Sequence, residues 1–119
     1  MVEQWENGMG LRIAEIDGQP VGASVLTGTA PCYVPEIGKP ESYLHFLISD
    51  RARAGLGIGS ELVLRAADDT RAAGAEVLRV DCWADAPGLV AWYVKQGFVP
   101  TITFTVAESW RGQVLEMPV

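Results

Sequence analysis

Three glycines at alternate positions, Gly55, Gly57 and Gly59, stand where an apolar and aromatic run, Tyr43-Leu44-His45-Phe46-Leu47-Ile48-Ser49, hands over to a stretch from Glu61 to Ala73 free of Gly and Pro. The run has the pattern of a central strand covered on both faces, and the stretch has that of a helix. Glycine at such a junction lets backbone N–H groups approach a ligand with no Cβ in the way, and a helix N-terminus adds about half a positive charge. Together these properties suit a pyrophosphate cradle. A loop that merely needs positive φ angles uses the same residues. A Walker-type loop requires Lys between its last glycine and its Ser, and Gly59-Ser60 has none. A dinucleotide fingerprint fits Gly55 and Gly57 but meets Ser60 at its sixth position, and a hairpin lies upstream where a strand–helix–strand unit would be needed.

That hairpin is legible from alternation in Leu11–Ile16 and Val21–Leu26 about the turn residues Asp17-Gly18-Gln19-Pro20. From Gly28 to Ser42, Pro31, Pro35 and Pro40 with Gly28 and Gly38 forbid a regular element, leaving a loop long enough to suspect function. In the helix, Ile58, Leu62, Ala66 and Ala73 share one face while Glu61, Arg65, Asp68, Asp69 and Arg71 serve the other, and Gly74 closes it. Val77–Trp83 is a further strand. Pro87 opens a second helix that runs to about Gln96 and stops at Gly97. Phe98–Val106, with Pro100 near its start, and Gln113–Met117 complete the order β β β α β α β β.

The segment from Leu47 to Ser60 resembles the acetyl-CoA signature of GNAT N-acetyltransferases, Arg/Gln-x-x-Gly-x-Gly/Ala, with Gly57 and Gly59 on its glycines. Ala54 stands at the Arg/Gln position, one residue after Arg53. Further on, Leu89 to Phe98 resembles the family's second signature, an Asn-led helix ending in Leu-Tyr-x-x-x-Gly-Phe. Tyr93, Gly97 and Phe98 match, while Ala86 stands at the Asn position and Trp92 at the leucine. The resemblance implies an α/β (α+β) fold with a mixed, mostly antiparallel central sheet flanked by helices, as a single domain over residues 1–119. Only about ten residues precede Leu11, so the family's first strand and two helices are expected to be missing. Their place would fall to the Gly28–Ser42 loop or to a second copy of the chain.

The activity implied is direct acetyl transfer from acetyl-CoA to a primary amine, with no metal. Contacts to acetyl-CoA would fall on Leu47, Ile48, Ser49, Arg53, Ala54, Gly55, Leu56, Gly57, Ile58, Gly59, Ser60 and Tyr93. A backbone N–H near Leu47 or Ile48 would hold the oxyanion. Tyr93 is the expected general acid, against the plainer role of packing its helix on the sheet. His45 is the sole histidine and a candidate base, though one His amid strand residues is more often packed. Glu36 and Glu41 are candidates to meet a cationic acceptor. Trp5, Trp83, Trp92 and Trp110 read as core or rim, and Asp50 as support for the turn before the glycines. Ala54 and Ala86 motivate an alternative, a weak or inactive acetyl-CoA-binding or partner module.

A net charge of −6 and a pI near 4.6 argue against a nucleic-acid partner, which needs a clustered basic surface. No apolar run reaches the roughly 18 to 20 residues of a membrane span, and the first residues lack the pattern of a signal peptide. The expectation is a cytoplasmic protein with no membrane partner, whose acceptor is a small-molecule or peptide amine. Cys32 and Cys82 are expected to be free thiols. An uncovered sheet edge predicts a homodimer through Phe98–Val106, Gln113–Met117 and the region of Trp5 and Trp110.

Overall fold

Asp17 and Gly18 both take positive φ, 51° and 78°, and this turn folds β2 (Leu11–Ile16) back onto β3 (Gln19–Thr27). The computed structural model describes residues 3–6 and 10–119. A short strand, β1 (Glu3–Glu6), pairs antiparallel with β2 at one edge of the sheet. The expectation that the strand ahead of the hairpin is missing is thereby corrected; four residues with one apolar member are too few to show alternation.

Beyond β3 the chain runs through the loop into β4 (Glu41–Ser49), a 3-10 turn (Arg51–Arg53), α1 (Ile58–Ala72), β5 (Val77–Trp83), α2 (Pro87–Lys95), β6 (Val99–Val106) and β7 (Trp110–Pro118). The seven strands lie in the order β1-β2-β3-β4-β5-β7-β6. Every pair is antiparallel except β4 with β5, which α1 connects as a crossover. This is the mixed, mostly antiparallel sheet the sequence implied.

Both helices pack on one face of the sheet. Val63, Ala66 and Ala67 of α1, Tyr93 of α2 and Phe98 share a buried cluster with Leu44, Leu78, Val80 and Cys82. The buried stripe of α1 runs Ile58, Leu62, Val63, Ala66, Ala67 and Thr70. Ala73, expected on that face, is exposed, because the helix ends at Ala72 and Gly74 turns the chain away at φ 78°.

The opposite face carries a smaller cluster, in which Val34 of the loop packs on Tyr43 and Val114. Here the loop supplies part of the cover expected of it. It reaches only one end of β4: Phe46 and Ile48 remain exposed, so the expected coverage of this strand on both faces fails beyond Tyr43. The expected shared edge is corrected too, since β7 is paired on both sides and only β6 of the two late strands has a free edge. The Trp5 side chain lies outside the described residues, although its strand does not.

Candidate active site where two parallel strands part

The β4–β5 ladder runs from Glu41↔Val77 to Leu44↔Val80 and stops, while β4 continues to Ser49 against β3 and β5 to Trp83 against β7. A bulge marks the place: Leu44 pairs with Leu26 and Phe46 with Val25, leaving His45 as the extra residue. The two parallel strands therefore diverge, and the backbone of His45–Ser49 on the β5 side, including Leu47 and Ile48, has no ladder partner there. This gap is the focus of the site.

At the far end of β4, Asp50 caps the 3-10 turn by accepting from the Ala52 N–H at 3.0 Å, the supporting role expected of it. Gly55 and Gly57 follow in the left-handed region at φ 87° and 74°. A Cβ on either would meet nothing within 4 Å, so space beside both is open. Gly57 is the N-cap of α1 and no side chain caps the helix, which leaves the amides of its first turn, Ile58, Gly59 and Ser60, without an intrahelical acceptor. A cavity of about 170 Å³ lies here, lined by Ser49, Arg53, Ala54, Gly55, Gly57, Ile58, Gly59, Ser60 and Trp92. Leu56 is exposed beside it. A larger, open cavity of about 630 Å³ is lined by residues of the loop between 28 and 41 and touches none of the glycine turn.

Gly59 differs from the other two glycines. A Cβ there would come within 2.9 Å of Cζ2 of Trp92. Its missing side chain is the room into which the indole fits, and sequence reasoning, which treated the three glycines alike, did not separate this role.

Tyr93 is buried, with its ring edge-on to Trp92 at 5.0 Å and to Phe98 at 5.6 Å. Burial pushes its phenol up to about 12, with the Cys82 thiol and the Asp81 carboxylate adding to the shift. No described residue hydrogen-bonds to its hydroxyl, so the ring serves packing while the oxygen stays uncommitted. Cys82 is buried and free, its thiol pushed up to about 11 by the same burial, and Cys32 is free and exposed. Ala86 is the N-cap of α2 and makes no side-chain cap bond; Pro87 at the first helical position supplies the start instead.

Across the gap, on the face away from the helices, lies a polar group that the sequence reading missed. The Tyr43 hydroxyl donates to Oδ2 of Asp81, the first β5 residue past the last ladder pair. Burial holds the Tyr43 phenol well above its ordinary value, and this hydrogen bond holds it higher. Arg79, 1% exposed, donates from Nη1 to Oε1 of Glu41 at 3.1 Å and lies over the Tyr43 ring at 5.8 Å. Glu41 is thus committed to Arg79, while Glu36 sits exposed on the loop. The signal was present in the sequence: Arg79 and Asp81 break an apolar strand at alternate positions and so share one face.

His45 is exposed, its ring 5.1 Å from that of Tyr43. Its Nε2 lies 3.0 Å from the Thr29 carbonyl oxygen and 2.7 Å from the Thr27 hydroxyl. A carbonyl only accepts, so in the contact with Thr29 it is Nε2–H that donates. The structure thus brings the glycine turn and Tyr93 together on the helix side of the gap, and His45 beside Tyr43 and Asp81 on the other.

A family model described as "Acetyltransferase (GNAT) family" matches residues 2–98. Among solved structures, Ard1 from Thermoplasma volcanium superposes with a TM-score of 0.78 at 19% identity, over 92% of this chain and 70% of that one. A GNAT family acetyltransferase from Elizabethkingia anophelis with acetyl-CoA bound gives 0.71 at 15%, over 92% and 75%. The NatC complex bound to Gag peptide and CoA gives 0.73 at 17%, over 92% and 70%. Some neighbours are longer still, with 61% of the partner chain covered. No curated protein matches by sequence.

Proposed function

Because this chain belongs to the GNAT acetyltransferase family, we propose that it transfers an acetyl group from acetyl-CoA to a primary amine, small-molecule or peptide-borne. The observation that carries the reading is the parting of β4 from β5 at Leu44↔Val80, with the glycine turn at the end of one strand and Tyr93 beside the other. Acetyl-CoA supplies the acetyl group as a thioester, already activated toward an amine.

The residues present fit that molecule. The left-handed Gly57 and the uncapped amides of Ile58, Gly59 and Ser60 offer N–H donors and the positive end of α1 to a pyrophosphate, in space that a Cβ at Gly57 would occupy. Arg53 lines the same space and adds the charge that Ala54 lacks. Backbone N–H groups alternate in direction along β4, so of Leu47 and Ile48 the one that faces the gap rather than β3 would donate to a carbonyl oxygen gaining charge, which is worth about 3 kcal/mol for one well-aimed donor.

Tyr93 is the donor to the departing sulfur. With its phenol near 12 it stays protonated across the pH range in which amines become neutral. Against a thiolate of reference value about 8.5, complete transfer is uphill by three to four pH units. The hydroxyl therefore acts by donating a hydrogen bond as the sulfur gains charge, and solvent completes the proton transfer.

Calorimetric and thermal-shift titration with acetyl-CoA test the cradle. A ligand at a hundred times its Kd stabilises by about 2.7 kcal/mol, roughly a 10 °C rise in Tm for a domain of this size. Gly57→Val is expected to abolish the shift. Gly57→Asn, which tolerates the left-handed backbone, is expected to weaken it in a folded protein. An undiminished shift in both variants contradicts the assignment of Gly57. Binding without any turnover would favour the non-catalytic module.

A further inference from the structure

On the sheet face away from the helices, three strand positions and one loop residue converge beside the gap. Asp81 and Trp83 alternate along β5, opposite Val114 and Gly112 of β7. Phe104 of β6 is also opposite Gly112, and its ring lies so close over that glycine that a Cβ there would fall 2.2 Å from Cζ. Directly opposed residues of antiparallel strands project to the same face, so Trp83 and the Phe104 ring flank Gly112 on one side of the sheet. Tyr33 of the loop stacks on Phe104 with ring centroids 5.0 Å apart. Trp83 and Tyr33 are both exposed, so the aromatic surface is open to a ligand.

We propose that these side chains form the acceptor subsite, and that the acceptor is a primary monoamine carried on a planar apolar body, an arylalkylamine. The proposal rests on the acetyl-transfer reading above. Charge accounting limits the number of ammonium groups. Among the described residues, Glu41 is paired with Arg79 and Asp85 with Arg111, and Glu116 of the same face lies opposite Arg79, so Asp81 is the unpaired carboxylate that stands next to both the gap and the rings. Its Oδ2 accepts from Tyr43, while Oδ1 has no partner among the described residues and is not sealed from solvent. One open carboxylate oxygen suits one ammonium. A polyamine or aminoglycoside, with several, would need several such groups.

The walls select what the ammonium is attached to. Tyr33, Trp83 and Phe104 offer ring faces that gain from stacking a flat apolar body and from a cation over a ring. The Tyr33 phenol is raised, first by burial and then by the Asp81 charge, which agrees with the two being neighbours. An ammonium held on Oδ1 also lies at the mouth of the gap, since Asp81 is the first β5 residue past the last ladder pair.

Calorimetry with 2-phenylethylamine, ethylamine and spermidine in the presence of CoA tests the proposal without turnover. The expected order is 2-phenylethylamine tighter than either other amine by about tenfold or more. Asp81→Asn keeps an acceptor for Tyr43 and is expected to weaken 2-phenylethylamine about tenfold, and Phe104→Leu to weaken it several-fold. Should Asp81→Asn fail to fold, the amine ranking and Phe104→Leu still decide. Equal binding of ethylamine, preference for spermidine, or indifference to both variants overturns the subsite. Acetyl transfer to amines without this ranking fails the subsite alone. Ranked amine binding with no acetyl transfer supports the subsite and fails the transfer reading alone.

Discussion

Tyr93 holds two jobs that one atom separates. Its ring belongs to the core between α2 and β5, and its hydroxyl carries the proposed chemistry. Tyr93→Phe is expected to leave acetyl-CoA affinity unchanged and to lower kcat about ten- to a thousand-fold, the loss usual for a proton-donating group or slightly below it. Full activity in the Phe variant would reduce Tyr93 to a core residue. The same residue gives an alkaline signature. Its phenol moves from the ordinary 10 to about 12 on folding, so the unfolded chain ionises first. Its contribution to stability is whole below pH 10 and falls away between pH 10 and 12, by about 3 kcal/mol in all. Urea unfolding over that interval is expected to be steeper with pH for the wild type than for Tyr93→Phe. Parallel curves would contradict the burial assigned to the phenol. Tyr93 was legible in the sequence because Gly97-Phe98 fixes its place at a helix end. For Asp81 the alternation with Arg79 shows only a shared polar face of the strand, and its partner Tyr43 emerges only from the register of β4 against β5.

At the scale of elements, the junction of α1 and α2 carries a paired change. Against the family signatures, Trp92 stands where a leucine is usual, and Gly59 stands where Gly or Ala is allowed; the structure shows the indole filling the room that the glycine leaves. Gly59→Ala alone is expected to destabilise by about 1–3 kcal/mol through overpacking. In a Trp92→Leu background it is expected to cost much less, leaving a coupling energy of about 1 kcal/mol or more in a double-mutant cycle by chemical denaturation. Additive effects would mean that the contact is not tight. The strands and helices themselves were largely readable from alternation, from Pro87 and from Gly74. What escaped the sequence was set by tertiary pairing: the short edge strand β1, the earlier start of β7 at Trp110, and the exposure of Phe46 and Ile48. Periodicity reports which residues are apolar, and an apolar run reads the same whether one face or two are covered.

For the whole molecule, the free edge of β6 bears on assembly. Val99, Ile102 and Val106 are exposed along it, while Pro100, which offers no N–H, and the register shift between Pro100 and Thr103 blunt its start. Pairing with a second copy would use the Thr103–Val106 half. A dimer of twice 12.8 kDa in sedimentation at micromolar concentration is the expected result, weakened by Thr105→Pro. A monomer that still binds acetyl-CoA would show that the loop over Tyr43 suffices to complete the fold. The central claim is acetyl transfer, and its most direct measurement follows isotopically labelled acetyl-CoA with a panel of amines by mass spectrometry, with release of free CoA thiol read in parallel. The expected result is a labelled amide whose formation requires both protein and amine and equals the thiol released. Bound acetyl-CoA with no amide from any amine, or thiol release by hydrolysis alone, would contradict it.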